Sequence, residues 1–358
     1  MRALRALVVD DSSLNRRTIA AILKEIPGVS EVEVANDGAD ALRLVEARPP
    51  DFITLDLDMP RLDGFEFLQL LMDRNPLPVI VISGLSAKKH IFRALELGSI
   101  DFIEKPSGEE APLERLREQL TEKVRVVRQL SPLALRRRTS GGFALDDEAR
   151  DSSGGRPEPS VIKRVPSKVI VIGASTGGPR ALLTLFRHLH DDLDAALVVA
   201  QHMPPRFTRT FAERLDRNSV ANVSEAKTFE RLARGHAYVC PGGQCVEIVP
   251  SDRGPALRVV RPDAKTRYIP SADQLFSSAA RVLGDRAIAV VLTGMGDDGA
   301  RGVENISAKG GMVLLEAPET AVVSGMPAAA QRTGVQHHSL GIWDLGDMLA
   351  TLARPDKR

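Results

Sequence analysis

Cysteine, aromatic residues and long apolar segments are scarce in this sequence. Two cysteines in 358 residues are too few for a disulfide framework, which favours a reducing compartment such as the cytoplasm. One Trp and two Tyr argue against stacking on nucleic-acid bases as the main activity. No apolar run approaches the roughly 18 residues of a membrane span, so we expect no membrane insertion.

Net charge is nearly absent as well. The chain has 48 Lys and Arg against 47 Asp and Glu, a formal charge of +1, which disfavours a strongly basic nucleic-acid binder. The hydrophobic fraction of 43% excludes an acidic disordered chain. The length suggests two domains of ordinary size or three small ones. We therefore expect a globular protein without a nucleic-acid partner.

The first domain is predicted to span residues 1–128. Short apolar runs alternate there with helical patterns, from a strand at 6–9 to an amphipathic helix at 113–127. Five strand–helix pairs predict a doubly wound α/β fold with a flavodoxin-like parallel sheet. Functional groups of such sheets gather at the carboxyl ends of the strands.

Residues 129–166 have the composition of a flexible linker, because the periodicity stops and Ser, Gly, Pro and charged residues dominate. The triplet Arg136–Arg138 could contact phosphate or a partner. A solvated charge cluster is the favoured interpretation.

Residues 167–354 are predicted to form a second domain, with a Rossmann-like parallel sheet and a β-hairpin. The predicted sheet strands are 169–172, 196–200, 287–292 and 312–316. The hairpin strands are 246–249 and 257–260, and a helix is expected at 343–352. The polar pair His337–His338 is predicted to lie in a surface loop.

Five polar side chains are placed at strand ends of the first domain: Asp10, Asp11, Asp56, Ser83 and Lys105. Three carboxylates at one edge repel each other unless a cation joins them, and hard oxygen ligands suit Mg²⁺. The hydroxyl and the ammonium could bind phosphoryl oxygens, which suggests phosphoryl transfer onto Asp56. The alternative, that the carboxylates cap the following helices, suits a single Asp better than the whole set.

Residues 4–128 resemble the response-regulator receiver family. The shared motifs are Val9–Ser12, Leu55–Pro60, Asp63–Gly64 and Lys105–Pro106. The resemblance implies that Asp56 is phosphorylated, with a histidine kinase as phosphodonor, and that Ser83 and Lys105 are phosphate ligands. The implied Mg²⁺ ligands are Asp10, Asp11, Asp56 and the backbone carbonyl of Asp58. Phe102 matches the aromatic switch position of the family, and a plain core Phe is an equal interpretation.

A loop of small residues, 173–179, follows the first strand of the second domain and carries Ser175. Such a loop permits a tight strand-to-helix turn that exposes a hydroxyl and aims backbone N–H groups outward. It could cradle a phosphate or present a nucleophilic Ser. It lacks the Lys-Ser/Thr ending of a nucleotide P-loop and the spaced glycines of a dinucleotide site.

Two further strand ends favour the nucleophile. His202 follows the second strand, and Asp298 lies in a Gly-rich segment after the apolar strand at 287–292. Ser175, His202 and Asp298 therefore lie beyond strand ends of one parallel sheet, as a Ser-His-Asp relay requires. Singly, His202 could be a turn residue and Asp298 a helix cap.

The segments that carry Ser175, His202 and Asp298 resemble the chemotaxis protein-glutamate methylesterases, the CheB family. So do Pro270–Phe276 and Gly325–Pro327. The resemblance implies Ser175 as nucleophile, His202 as general base and acid, and Asp298 as the residue that orients His202. It implies Met295 in an oxyanion site and Thr176 as a support beside the nucleophile. The implied substrates are glutamyl γ-methyl esters, and glutamines for deamidation, on cytoplasmic helices of chemoreceptors. We expect a cytoplasmic monomer whose ester hydrolysis needs no cofactor.

Some positions depart from the family pattern. Asp297 stands where Asn is common, Ser324 where an aromatic is usual and Ile269 where a polar residue is usual. These differences keep open a signalling adaptor with a weak or unused esterase site. A DNA-binding regulator is disfavoured, because no helix-turn-helix with a basic face is evident. Cys240 and Cys245 could be half of a metal site, but turn and core residues are the favoured interpretation.

Overall fold

The computed structural model describes residues 2–84, 88–105, 112–131 and 164–355. The chain divides into two compact units, Met1–Phe143 and Ala144–Arg358. Most of the expected linker, with Arg136–Arg138, lies outside the described residues, and so does Pro106. Within the described ranges, no helix combines the length and the apolar character needed to cross a membrane.

The first unit alternates strands with helices. The strands are β1 (Leu4–Val9), β2 (Val29–Ala35), β3 (Phe52–Leu55), β4 (Val79–Ser83) and β5 (Asp101–Glu104). The helices are α1 (Ser13–Glu25), α2 (Gly38–Ala47), α3 (Gly64–Arg74), α4 (Lys88–Leu97) and α5 (Pro112–Val127). The strands pair in parallel in the order β2-β1-β3-β4-β5, which confirms the predicted doubly wound fold.

Burial of the strands and capping of the helices explain why this part of the fold could be predicted from the sequence. Every residue of β3 and β4 is buried, so both strands are continuous apolar runs apart from Thr54 and Ser83. Helix α3 begins with a capping box, in which Glu66 N–H donates to Asp63 at 2.8 Å and Asp63 N–H donates to Glu66 at 3.3 Å. The cap ends the loop that carries Asp58.

The second unit is a larger α/β domain. The strands are β6 (Lys168–Ala174), β7 (Ala195–Gln201), β8 (Asn222–Glu225), β9 (His236–Val239), β10 (Cys245–Val249), β11 (Ala256–Val260), β12 (Ala287–Val291), β13 (Met312–Glu316) and β14 (His338–Leu340). The helices are α6 (Gly178–Arg187), α7 (Thr208–Arg217), α8 (Ala272–Leu283), α9 (Ala300–Ala308), α10 (Gly325–Arg332) and α11 (Ile342–Leu352). Seven strands form a parallel sheet in the order β14-β13-β12-β6-β7-β9-β8, and β10 and β11 form the predicted antiparallel hairpin.

The sheet extends beyond the sequence prediction at both edges. Strands β8 and β9 were not expected, and neither was β14. The prediction of a surface loop at 337–338 is wrong for His338, which begins β14 and pairs with Leu314. Strand β14 lies at the edge of the sheet and its first two residues are exposed, so its polar composition is the same as that expected of a surface loop.

Close packing places the N-terminus of α8 at the edge of the sheet where the parallel strands have their carboxyl ends. A Cβ atom at Gly173, in β6, would lie only 2.7 Å from the Cβ of Ala272, the first residue of α8. Phe276 of α8 is fully buried against the sheet core. The absence of a side chain at Gly173 therefore lets α8 begin beside the carboxyl end of β6.

Candidate functional site

The register of two central strands brings Ser175 and His202 to neighbouring positions. Ala174 of β6 pairs with Gln201 of β7, and Ser175 and His202 are the residues that follow this pair. His202 N–H donates to the carbonyl of Ala174 at 2.9 Å, so the backbone hydrogen bonding between the two strands continues as far as His202. Gln201 Nε2 donates to the carbonyls of both Ser175 (2.9 Å) and His202 (3.0 Å), which fixes the two strand ends to each other.

Ser175 lies in the tight strand-to-helix turn that its small neighbours predicted. Gly177 has φ +79 and caps α6, and Gly178 N–H donates to the carbonyl of Ser175 at 2.8 Å. Ser175 N–H donates to the carbonyl of Thr293 at 3.0 Å, which joins the turn to the segment after β12. The residue is partly exposed, and among the described contacts its hydroxyl makes no hydrogen bond to His202.

Asp298 is a buried carboxylate held at the N-terminus of α8. Its Oδ2 accepts from Ala272 N–H at 2.7 Å, and its Oδ1 accepts from Asp273 N–H at 2.9 Å and from the Ser271 hydroxyl at 3.2 Å. Oδ2 also lies 2.8 Å from Nε2 of His202. Helix N-terminal N–H groups are good donors to a carboxylate, and here they hold one whose exposure is only 1%.

The start of the segment from Thr293 to Asp298 is held by hydrogen bonds to neighbouring segments. Gly294 N–H donates to Val323 and its carbonyl accepts from Met326 N–H, at 2.9 and 2.8 Å. Thr293 Oγ1 donates to the carbonyl of buried Thr176 at 2.9 Å. Within the described part of the chain, Met295 N–H has no hydrogen-bond acceptor. Thr176 directly follows Ser175, and Met295 lies two residues after Thr293, whose carbonyl accepts from Ser175 N–H. Both expected support residues therefore lie in segments that adjoin Ser175.

An aromatic ring that sequence reasoning missed lies against His202. The Tyr268 ring stacks on the imidazole with centroids 5.3 Å apart and planes 4° from parallel. The phenol donates to Asp297 at 2.8 Å, and Arg267 Nη1 binds the same carboxylate at 3.1 Å. The available signal was the scarcity of Tyr combined with its place two residues before Pro270.

The strand ends of the first unit bring the predicted acidic cluster together. Carboxylate oxygens of Asp10, Asp11 and Asp56 lie within 4.8 Å of one another, with Asp10 and Asp56 buried and Asp11 exposed. Lys105 Nζ lies 3.0 Å from Asp10 and 2.5 Å from Asp56. Hard oxygen donors at this spacing suit a divalent cation such as Mg²⁺.

Burial and mutual interaction shift the pKa values of Asp56 and Lys105. Burial raises the pKa of Asp56 above its ordinary value, although the hydrogen bond and charge of Lys105 oppose the rise. Burial lowers the pKa of Lys105, but its hydrogen bonds and attraction to Asp56 and Asp10 outweigh this, so the pKa is raised overall. Lys105 therefore remains a cation beside the Asp56 carboxylate.

The remaining predicted residues of the first unit lie on β4, on β5 and in the loop after β3. Ser83 is fully buried at the end of β4, and its hydroxyl has no hydrogen-bond partner within the described residues. Phe102 is 7% exposed in β5. Asp58 N–H donates to Asp56 Oδ1 at 3.4 Å. The role of the Asp58 carbonyl stays a prediction.

The two cysteines are core residues of the second unit. Both are buried. Burial raises the pKa of each thiol, so both are neutral. This chemistry does not favour metal binding.

Comparison with known proteins decides the family. A family model described as CheB methylesterase matches residues 170–349, and one described as response regulator receiver domain matches residues 6–117. The chain belongs to the CheB methylesterase family.

Named relatives match this chain over nearly its whole length. Protein-glutamate methylesterase/protein-glutamine glutaminase 1 of Myxococcus xanthus is 42% identical over 97% of this chain and 96% of that protein. Protein-glutamate methylesterase/protein-glutamine glutaminase 6 of Anaeromyxobacter dehalogenans is 44% identical over 99% and 97%. The crystal structure of the Thermotoga maritima CheB methylesterase catalytic domain matches 52% of this chain and 100% of that chain, with 35% identity and a TM-score of 0.51. The resemblance and the enzyme class expected from the motifs are confirmed.

Proposed function

We propose that the second unit hydrolyses glutamyl γ-methyl esters on cytoplasmic helices of chemoreceptors, through Ser175, His202 and Asp298. The observation that carries the proposal is the 2.8 Å hydrogen bond between His202 and Asp298, beside a Ser175 that directly follows the neighbouring strand. Relatives with matching length are named as both methylesterases and glutaminases, so the same centre would also deamidate glutamines.

The geometry supports one step for each residue of the proposed mechanism. Since Nε2 of His202 is engaged by Asp298, Nδ1 takes the hydroxyl proton as Ser175 Oγ attacks the ester carbonyl. Met295 N–H, uncommitted within the described chain, donates to the oxyanion, a contribution of about 3 kcal/mol per donor. As the tetrahedral intermediate collapses and the bond to the methoxy oxygen breaks, His202 gives its proton to that oxygen, which leaves as methanol. Water, activated by His202, cleaves the acyl-enzyme to release Ser175 and the glutamate carboxylate.

The first unit would control this reaction as a receiver. A histidine kinase would transfer a phosphoryl group to Asp56, with Ser83 and Lys105 binding its oxygens. Asp10, Asp11, Asp56 and the Asp58 carbonyl would hold Mg²⁺, which when bound neutralises charge on the phosphoryl oxygens. Phosphorylation would shift the population toward a form whose Ser175 cleft is accessible.

The proposed boundaries follow the sequence. They are a receiver at 1–128, a linker at 129–166 and a catalytic domain at 167–354; the two family models lie inside the first and the third range. We propose a cytoplasmic monomer for this arrangement.

Methanol release from a methylated receptor fragment tests the function. The full chain should release methanol, and Ser175→Ala should abolish release while leaving binding of the fragment intact. Binding without release by the unaltered chain would favour a signalling adaptor. Release that persists in Ser175→Ala would exclude Ser175 as the nucleophile.

A further inference from the structure

The imidazole of His202 is supported on two sides by consecutive residues of one loop. Asp298 binds the ring edge through Nε2 at 2.8 Å. Asp297 binds the phenol of Tyr268 at 2.8 Å, and the Tyr268 ring lies against the imidazole face, 5.3 Å away and 4° from parallel. The loop that orients the edge of the imidazole thus also anchors the ring that covers its face.

Tyr268 is itself held firmly enough to act as a support. Arg267 Nη1 binds Asp297 at 3.1 Å, and its guanidinium lies 4.9 Å from the centroid of the Tyr268 ring. Gly296 has φ +98, and a Cβ there would collide with the Tyr268 hydroxyl, so only Gly lets the loop approach this closely. Burial and the hydrogen bond to Asp297 both raise the pKa of Tyr268, which keeps the phenol a donor.

We propose that Tyr268 is a positioning residue for His202, a role that rests on the proposed Ser175 mechanism. A single hydrogen bond to Asp298 leaves the imidazole free to tilt about that bond. A flat ring against its face removes this freedom, so that Nδ1 is presented to the nucleophile in a single orientation. The electron-rich face of Tyr268 also attracts the imidazolium that forms when His202 takes the proton.

The aromatic face, rather than the phenol hydroxyl, carries this role. Tyr268→Ala should therefore lower kcat about 10-fold with KM changed less than about twofold, because ground-state binding of a small ester does not involve the ring. Tyr268→Phe keeps the stack and should recover kcat to within about threefold of the unaltered enzyme. Phe229→Ala removes a highly exposed aromatic from another loop and is the matched control, with unchanged kcat.

The test uses full-length protein and p-nitrophenyl acetate, an ester small enough to need no receptor docking. Ring-proton shifts of selectively labelled histidine give a second readout that a merely structural role would not produce. The ring-current shift of His202 should be present in the unaltered protein and Tyr268→Phe, and lost in Tyr268→Ala.

Two further variants separate the failure of this inference from failure of the mechanism itself. Ser175→Ala and His202→Ala should each abolish hydrolysis, and activity that survives either change would overturn the mechanism. If both abolish it, a Tyr268→Ala enzyme with unaltered kcat would overturn the positioning role alone. So would a Tyr268→Phe enzyme as slow as Tyr268→Ala, since the hydroxyl would then be the active feature.

Discussion

Nε2 of His202 lies 2.8 Å from Oδ2 of Asp298, across 96 positions of sequence. The carboxylate is already fixed by two N–H groups at the start of α8 and by the Ser271 hydroxyl, so it is oriented before any substrate arrives. A base held by a preoriented carboxylate loses little freedom in the transition state. This bond is the structural core of the proposed chemistry.

Replacing Asp298 by Asn should lower kcat by about 10³- to 10⁴-fold, because an amide cannot accept all of the hydrogen bonds that orient the His tautomer. Its NH₂ group would face the Ala272 or Asp273 N–H, or His202 itself. Hydrolysis of the methyl ester measures the loss. The neighbouring Asp297→Asn is the matched control: its carbonyl still accepts from Tyr268, so kcat should fall less than about threefold. Similar losses in the two variants would contradict the assigned roles.

Replacing Gly294 by Ala should displace the nucleophile. A Cβ at this position would lie 2.7 Å from the Cβ of Ser175, closer than real Cβ contacts allow. A displacement of this kind costs on the order of 10²-fold in kcat. Gly341→Ala, where the nearest atom lies at 3.3 Å and φ is −59, should keep the activity. Full activity in Gly294→Ala would show that Ser175 does not need its present position.

Asp273→Asn should stabilise the second unit at neutral pH. Burial raises the pKa of Asp273 above 3.8, and repulsion from Asp298 adds to the rise. A raised native pKa means that protonation favours the fold: its contribution is complete below the unfolded pKa and is lost as pH rises through the native pKa. The carbonyl of Asn can still accept from Gly302 N–H, as Asp273 does at 2.7 Å.

Unfolding followed by Trp343, the only Trp of the chain, measures this effect. The advantage of Asp273→Asn in free energy of unfolding should be present at pH 7 and disappear below about pH 3.8. An advantage that is the same at both pH values would refute the electrostatic cause.

Acetyl phosphate with Mg²⁺ should raise the esterase rate of the full chain by about 10-fold if phosphorylation shifts the population of accessible forms. Chelation of Mg²⁺ or Asp56→Asn should abolish the increase, whereas Asp73→Asn, at an exposed site on α3, should retain it. A fragment from residue 164 should be active without acetyl phosphate. Equal rates for the full chain, with and without acetyl phosphate, and the fragment would remove the gating proposal.

Strand ends made much of both sites predictable from sequence. Buried strands such as β3 and β6 are apolar runs, and polar residues directly after them must lie at one edge of a parallel sheet. Asp56 and Ser175 were placed by this rule. The edge strand β14 was missed because its three residues depend on pairing with β13 rather than on their own pattern.

Contacts between distant loops could not be predicted in the same way. The cradle of Asp298 needs α8 to begin beside the end of β6, which depends on a close approach at Gly173. The stack of Tyr268 on His202 joins residues 66 positions apart, on a segment without regular secondary structure. Neither periodicity nor composition carries such information.

Labelling with a fluorophosphonate, a reagent for activated serines, tests the central claim most directly. The reagent should modify Ser175 and no other residue of the folded chain, as mapped by peptide mass spectrometry, and His202→Ala should lose the modification. A His202→Ala protein that is labelled at Ser175 as fast as the unaltered chain would contradict the account.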